Sequence, residues 1–324
     1  MNKISIALCT FNGSKYLTHQ LDSFISQERQ PDEVIICDDR SSDRTHKIVN
    51  DFIKKASFKV KFVVNNNNLG ITKNFEKAVH LCTGDLIALS DQDDVWHSKK
   101  IERCEKLFSD QPDVGVLFSN ADIVDINLTP LGYDMFNRVN FSKKEQHQLI
   151  NNNGLSVLLK HYIVTGATMC FRADYKSAVL PIPSCWFHDT WIALVIASIS
   201  NMTFIEEPMI KYRQHSNNQI GGIKTGFIKQ VARALHVNRE DYYKTEIHKY
   251  HVILDRLSDI AESFMFPKKN TLLLKDKINH LEIRASMKKN RIFRLPVIIS
   301  ELLKLRYQRY SRNWGSIALD LLFK

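Results

Sequence analysis

The chain has 324 residues, enough for one large domain or two ordinary ones, and its composition, 44% hydrophobic and 25% charged, is that of a globular protein. No apolar run approaches the roughly 20 residues needed to span a bilayer, and the best candidates, 191–199 and 317–323, fall far short of it. The net charge of +10 is unevenly placed: residues 1–224 carry 25 Lys+Arg against 25 Asp+Glu, so the whole excess belongs to the last hundred residues and puts a domain boundary near Gly221-Gly222, between 1–222 and 223–324.

The first apolar run, Ile4 to Leu8, reads as a strand; it lacks the longer apolar core and small-residue cleavage site of a secretory signal. Leu17, Leu21, Phe24 and Ile25 follow at helical spacing, then a second strand at Glu33 to Cys37. Phe58 to Val64 predicts a third strand, Phe75, Val79 and Leu81 a helix, and Leu86 to Ser90 a fourth strand. This alternation predicts an α/β fold with a mostly parallel sheet flanked by helices. Ligands of such sheets bind at the carboxyl ends of the strands. The polar residues after each strand, Thr10 to Asn12, Asp38-Asp39, Asn65 to Gly70 and Asp91 to Asp94, are therefore expected to share one cleft.

Further on come a helix through Ile101, Cys104, Leu107 and Phe108 and a strand at Val114 to Phe118. A polar, loop-rich stretch from Asp122 to Asn153 is followed by a helix at Leu155 to Leu159. Thr165 to Phe171 reads as a strand opening on the small residues Gly166 and Ala167, and Trp191 to Ile199 has helical period. From Phe227 onward the pattern is helical and basic, with breaks at Pro267 and Pro296, and three to five helices are expected. Six cysteines (Cys9, Cys37, Cys82, Cys104, Cys170, Cys185) show no CxxC spacing and read as reduced thiols of a cytoplasmic protein.

Asp91-Gln92-Asp93-Asp94 carries the most chemistry. Three carboxylates at the end of an apolar strand repel one another unless a cation neutralises them. Oxygen-only ligands suit Mn²⁺ or Mg²⁺, which retains open positions for phosphate oxygens. A solvated acidic loop is the plain alternative. There is no Walker A loop and no GxGxxG after the first strand, so a phosphate here is held mainly through the metal.

In order, Ala7-Leu8-Cys9-Thr10-Phe11-Asn12-Gly13, Val34 to Thr45 around Asp38-Asp39, Asn68-Leu69-Gly70 with Lys73-Asn74, and Thr83-Gly84-Asp85 through Asp94-Val95-Trp96 resemble the family 2 inverting glycosyltransferases over residues 3–220. That resemblance implies the GT-A fold, a divalent metal and a nucleotide-sugar donor. Arg40 departs from the usual glycine in Asp-Asp-Gly-Ser, which puts the local turn in question. His188-Asp189-Thr190-Trp191, then Tyr212-Arg213-Gln214-His215 with Asn217-Asn218, are similar to bacterial rhamnosyltransferase-type enzymes of surface-polysaccharide assembly. They point to dTDP-rhamnose or a UDP-hexose as donor and to a glycan acceptor, lipid-linked.

The resemblance implies roles residue by residue. Asp93 reaches the metal with Asp91 or Asp94, Asp91 alternatively contacting ribose, and His215 is a further ligand or else a packed histidine. Asp189 is the catalytic base, or the cap of a helix beginning at Thr190. Asp39 accepts from the imide N–H of a uracil or thymine, Thr10 or Phe11 packs on the ring, and Asn12 belongs to the same nucleotide set. Lys73 pairs a phosphate or is simply a surface lysine. Gly166 and Ala167 floor the sugar site beside His188, and Trp191 either stacks on a sugar or belongs to the core.

The basic tail, with Lys268-Lys269, Lys288-Lys289, Arg291, Arg306, Arg309 and Arg312 beside apolar residues, suits an anionic membrane surface at the cytoplasmic side, or else the solvated faces of a helical accessory domain. No nucleic-acid motif accompanies it. A sugar nucleotidyltransferase is the competing enzyme class, but it needs a Gly-rich, basic loop where this chain has Thr10 to Lys15. A non-catalytic nucleotide-sugar-binding protein predicts a lost carboxylate, and none of Asp39, Asp91, Asp93 or Asp189 is lost.

Overall fold

The computed structural model describes residues 2–215, 239–288, 290–312 and 314–322, and these separate into two compact units. The first comprises 1–146 and 164–218, the second 147–163 and 219–324. The expected boundary at Gly221-Gly222, Asn217-Asn218 and the helical signals from Phe227 to Val237 lie outside the described residues. Residues 147–163 differ from the expected division: they fold with the second unit, because the apolar residues Leu155, Leu158 and Leu159 pack with the basic helices.

The first unit is built on a nine-stranded mixed sheet. Its strands are β1 (Ile4–Thr10), β2 (Glu33–Asp38), β3 (Lys59–Val64), β4 (Leu86–Ser90), β5 (Val95–Trp96), β6 (Val114–Val124), β7 (Pro130–Asp134), β8 (Met169–Arg172) and β9 (Asn201–Arg213). The order is β3-β2-β1-β4-β8-β6-β9-β5, with β7 on β6. Strands β3, β2, β1 and β4 run parallel, as the alternation of strands and helices requires; β8 is antiparallel to both β4 and β6. Every residue of β1, β2 and β4 is buried, the mark of strands covered on both faces. One face packs Ile6, Leu8, Val34, Ile36, Leu86 and Ala88 with Phe24, Phe52 and Phe108. The edge strand β3 alternates and carries Lys59 and Lys61, which blunts the exposed edge.

The helices of this unit are α1 (Leu17–Ile25), α2 (Thr45–Lys55), α3 (Ile71–Leu81), α4 (Lys100–Asp110), α5 (Met135–Val139), α6 (Lys143–Ile150, which runs into the second unit), α8 (Lys176–Val179) and α9 (His188–Ile199). The stretch expected to be loop-rich holds the end of β6, β7, α5 and α6. Its polarity hides the buried Ile123 and Val124, and the five-residue α5 is set by Asp134, whose carboxylate accepts from the Asn137 amide at 2.7 Å. Gly166 and Ala167 do not open a strand; they form a 3₁₀ turn (Gly166–Thr168) ahead of β8. Strand β9 escapes a periodicity reading because Glu206, Glu207 and Pro208 interrupt it where its pairing with β6 shifts register.

The second unit contains α7 (Gly154–Lys160), α10 (Arg239–Asp259), α11 (Lys268–Ala285), α12 (Leu295–Leu303), α13 (Arg306–Tyr310) and α14 (Trp314–Leu322). The two prolines start helices instead of ending them: Pro267 is the N-cap of α11, and Pro296 lies in the first turn of α12, where its missing N–H is harmless. A buried polar network runs through this unit. Arg284 donates to Asp320 at 2.7 Å, and Tyr243 and Tyr307 donate to the same carboxylate. Glu301 sits between His280 at 2.7 Å and Arg306 at 3.1 Å, while Arg306 also pairs Asp276.

Two predictions follow from these local structures. Arg40 has φ +69° on the exposed turn after β2, so it keeps the left-handed geometry a glycine would adopt freely. Arg40→Gly is expected to stabilise the first unit by up to about 1 kcal/mol in chemical denaturation, reduced by glycine's greater unfolded-state entropy. Burial, then the neighbouring Arg284, Lys277 and Arg306, hold the His280 imidazole well below its usual range. An unfolded histidine titrates near ~6.5, so the stability contributed by neutral His280 is present above that pH and is lost on acidification. Urea unfolding of the full chain, followed by hydrogen exchange over α11–α13, is expected to weaken from about pH 6.5 downward by up to about 1.4 kcal/mol per pH unit. A flat profile down to the carboxylate range would remove His280 as the cause.

Candidate active site

Strands β1, β2 and β4 end side by side, with Thr10 opposite Asp38 and Leu8 opposite Ser90. The buried β4 therefore delivers its following residues to the carboxyl edge of the sheet. Carboxylate oxygens of Asp91, Asp93 and Asp94 lie within 4.8 Å of one another. Asp94 Oδ1 accepts from the Arg213 amide at 3.0 Å, whereas Oδ2 is buried with no partner among the described residues. Burial, then the charges of Asp93 and Asp189, push the Asp91 carboxyl up to about 8. Asp94 is raised by burial and by Asp93 and Asp91. An orphaned carboxylate oxygen, three converging hard donors and mutual repulsion fit a divalent cation. Of the two residues expected to compete for the place beside Asp93, both are in the cluster.

His215 joins it. Its Nε2 lies 2.7 Å from Asp93 Oδ2, and its ring stacks on Tyr16 at 5.1 Å. Arg213, two residues earlier at the end of β9, holds the loop together: its guanidinium donates to the carbonyls of Asp93 and Ile126 and lies 4.5 Å over the Tyr16 ring. Gln92 fastens the same loop to the loop after β1, accepting from the Phe11 amide and donating to the Phe11 carbonyl.

A second layer meets the cluster from α4 and α9. Lys100 is fully buried, lies 3.7 Å over the Trp96 ring and donates to the Ala167 carbonyl at 2.8 Å. Burial lowers its ammonium to about 8 against the opposing pull of nearby groups that include Asp94 and Asp91. Asp189 Oδ2 accepts from the Gly166 amide at 3.1 Å, and Oδ1 from the Thr190 amide at 2.7 Å. Helix α9 begins at His188 with Phe187 as N-cap, so Asp189 stands in the first turn and is not the cap. There the helix N-terminus favours its negative charge. His188 stacks on Phe75 at 3.9 Å, and both ring nitrogens are buried without a partner among the described residues. Burial lowers its imidazole, so it is neutral. A Cβ on Gly166 would meet His188 Nε2 at 2.9 Å, which explains the glycine.

Several residues assigned to ligands turn out to hold the scaffold. Ala167 is completely buried and Gly166 is buried, both in a turn pinned by Lys100 and Asp189, so neither offers an open floor. Trp191 is a core residue whose indole N–H donates to the Val179 carbonyl at 2.7 Å. Lys73 is engaged by Glu76 and the Ile182 carbonyl, both at 2.7 Å. Asp39 accepts from the Leu69 and Gly70 amides and from Asn65, fixing the turn before α3 and leaving one of about four acceptor positions. Thr10 donates to Asp38, and Asn12 accepts from the Ser42 amide. Phe11 is half exposed at the rim. Arg213, Lys100, Gln92 and Tyr16 had no assigned role. Arg213 was signalled only by its place in Tyr212-Arg213-Gln214-His215, and Lys100 by nothing, since a lysine is almost never fully buried.

The model of the family described as glycosyl transferase family 2 matches residues 5–174. The dTDP-rhamnosyl transferase RfbG of Shigella flexneri is 28% identical over 296 residues, covering 88% of this chain and 94% of its own. An uncharacterized glycosyltransferase of Nostoc sp. is 26% identical, covering 72% and 71%. Among solved structures, S. aureus TarS 1–349 in complex with UDP-GlcNAc superimposes with a TM-score of 0.59 at 16% identity, covering 99% of this chain and 84% of that one. The mannosyltransferase PcManGT from Pyrobaculum calidifontis, in complex with GDP-Man and Mn²⁺, gives 0.50 at 14%, covering 99% and 85%. At such identities the structural likeness speaks for the fold, the mixed sheet flanked by helices of the GT-A type. Since the family model spans just over half of the chain and the strand order places an acidic cluster at the sheet's carboxyl edge, the chain belongs to glycosyl transferase family 2 and is a glycosyltransferase of the GT-A fold.

Proposed function

We propose that the chain is an inverting, metal-dependent enzyme that moves a sugar from dTDP-rhamnose or a UDP-hexose to a lipid-linked glycan in the synthesis of a bacterial surface polysaccharide, O-antigen or capsule. The observation that carries the reading is the convergence of Asp91, Asp93 and Asp94 with His215, close enough to Asp189 for its charge to raise the Asp91 carboxyl. The rhamnosyl donor is favoured by RfbG, whose similarity runs over nearly the whole of both chains. The place of work is the cytoplasmic side of the membrane, with the second unit facing anionic lipid.

In this reading the acceptor hydroxyl attacks the anomeric carbon, the bond from that carbon to the β-phosphate oxygen breaks, and the nucleoside diphosphate departs with the bonding pair. Asp189 takes the hydroxyl proton from the face opposite the leaving group, after giving up its hydrogen bond to Gly166 or sharing that oxygen. A Mn²⁺ or Mg²⁺ held by Asp93 with Asp91, Asp94 or His215 would offset the charge gained by the diphosphate. His188 presents an unpaired nitrogen beside Asp189, suited to a sugar hydroxyl. The half-exposed Phe11 covers the base, and Asp39 keeps one acceptor position for it.

The test is nucleoside diphosphate release from dTDP-rhamnose, UDP-glucose and UDP-galactose with Mn²⁺ or EDTA. Metal-dependent release from one donor is expected. Asp189→Asn should lower turnover by about 10²–10⁴-fold while nucleotide binding persists; wild-type turnover in that variant would take Asp189 out of the mechanism.

The cation has its own signature. Without one, the folded chain keeps a proton on Asp91 up to about pH 8, whereas unfolded aspartate loses it near ~3.9. Stability of the metal-free chain therefore falls as pH rises between those values, and a bound cation takes the proton's place. The rise in melting temperature on adding Mn²⁺ is expected to be several degrees larger near about pH 8 than near about pH 5. An equal or absent rise would count against a cation at this cluster.

A further inference from the structure

The charges of the C-terminal part of the second unit, from Ser286 on, are arranged the wrong way round for a helical bundle in water. Between Ser286 and Leu322 the only acidic residues are Glu301 and Asp320, and both are buried, at 1% and 0% exposure. Arg306, counted above with the membrane-facing basic residues, is held by Asp276 and Glu301 and is not available to lipid; Arg284 and Arg294 are buried too. Lys289 lies outside the described residues. The exposed charges of the segment, Lys288, Arg291, Lys304, Arg309 and Arg312, are all positive.

Among them stands a bare apolar ridge. Helix α12 buries Ile298 and Glu301 with the cluster of Met287, Tyr307 and Ile317. Its opposite face carries Leu295, Ile299 and Leu303 at i, i+4 and i+8, exposed at 46%, 53% and 80%. Ile292 and Phe293 extend the ridge one turn upstream at 72% and 57%. A water-facing helix surface would carry polar side chains at those positions. Large side chains in an unbroken row, ringed by one sign of charge, mark an interaction surface.

We propose that α12 lies in the plane of an anionic lipid bilayer, with Ile292, Leu295, Ile299 and Leu303 in the acyl boundary and Lys288, Arg291, Lys304 and Arg309 at the phosphate level. The charge pattern selects this occupant: every exposed charged residue between Ser286 and Arg312 is positive and complements an anionic headgroup. The helix has nine residues and no helix among the described residues can cross a membrane, so the mode is to lie on the surface. The proposal rests on the membrane reading given above and names the surface that performs it.

The test uses the full chain and two kinds of vesicle, phosphatidylcholine alone and phosphatidylcholine mixed with phosphatidylglycerol. Wild-type protein is expected to sediment with the mixed vesicles only. Ile299→Glu with Leu303→Glu should weaken that partition by at least about tenfold, and Lys304→Glu by about fivefold at low salt. Both sites are exposed, so circular dichroism and melting temperature are expected to hold. Donor hydrolysis without vesicles is read in parallel, so that a dead enzyme that binds lipid and an active one that does not are told apart. Undiminished binding by the double variant overturns the proposal. So does wild-type protein that ignores anionic vesicles, or that forms a dimer which the double variant dissociates.

Discussion

Like-charge repulsion at the end of β4 is the constraint around which the first unit is arranged. Three carboxylates converge where burial strips away solvent, and the folded chain holds them there with a dedicated frame. Arg213 does not neutralise them directly. It spends its guanidinium on backbone carbonyls and its amide on Asp94, so the loop is fixed while the carboxylate oxygens stay available. Lys100 supplies a buried positive charge from below but gives its hydrogen bond to the Ala167 carbonyl. The frame thus orders the repelling groups without discharging them, which is what a preorganised cation site requires.

The second unit solves the opposite problem. It holds two carboxylates inside, both hydrogen-bonded: Asp320 receives Arg284 and two tyrosines, and Glu301 receives His280 and Arg306. Such networks contribute little net stability against an apolar core, but removing one member leaves a buried charge uncompensated. They tie α11, α12, α13 and α14 to one another, while the surface between Ser286 and Arg312 exposes lysine, arginine and large apolar side chains. Between Ser286 and Leu322 both acids, Glu301 and Asp320, are buried, so the charge exposed by that segment is positive.

Most of the alternation in residues 4–90 was legible because β1, β2 and β4 are buried throughout and α1 and α3 show one apolar stripe; the edge strand β3 showed by its alternation, and α2 was not read. Beyond that stretch β6 and β8 still showed in the sequence, whereas β5 and β9 did not. Strand β9 alternates imperfectly because it shifts register against β6, and β5 is two residues long. The small residues Gly166 and Ala167 were seen as a close approach, correctly in kind, but what approaches is His188 and Asp189, and no periodicity carries that. Arg40 shows the limit from the other side: the backbone keeps the positive φ and accepts the strain of a side chain there.

Within the site, residue type located the carboxylates but left open which of the surrounding residues are held by the scaffold. A residue's chemistry is visible in sequence; the partner that consumes it is not. Lys73 has the charge for a phosphate but meets Glu76 and a carbonyl, and Trp191 has the ring for a sugar but lies in the core under Val179. Asp39 and Thr10 have the right atoms for a nucleotide, yet their first task is to tie the loops after β1, β2 and β3 to one another. In the proposed reading these contacts still serve recognition. Loops held by many short backbone bonds lose little freedom when a ligand arrives, so the binding energy of a nucleotide is not consumed in ordering them. The residues that tie the loops and the residues that touch the ligand are then successive layers of one device. The atoms without a partner among the described residues, Asp94 Oδ2 and the two nitrogens of His188, are where the proposed reading has its inner layer begin.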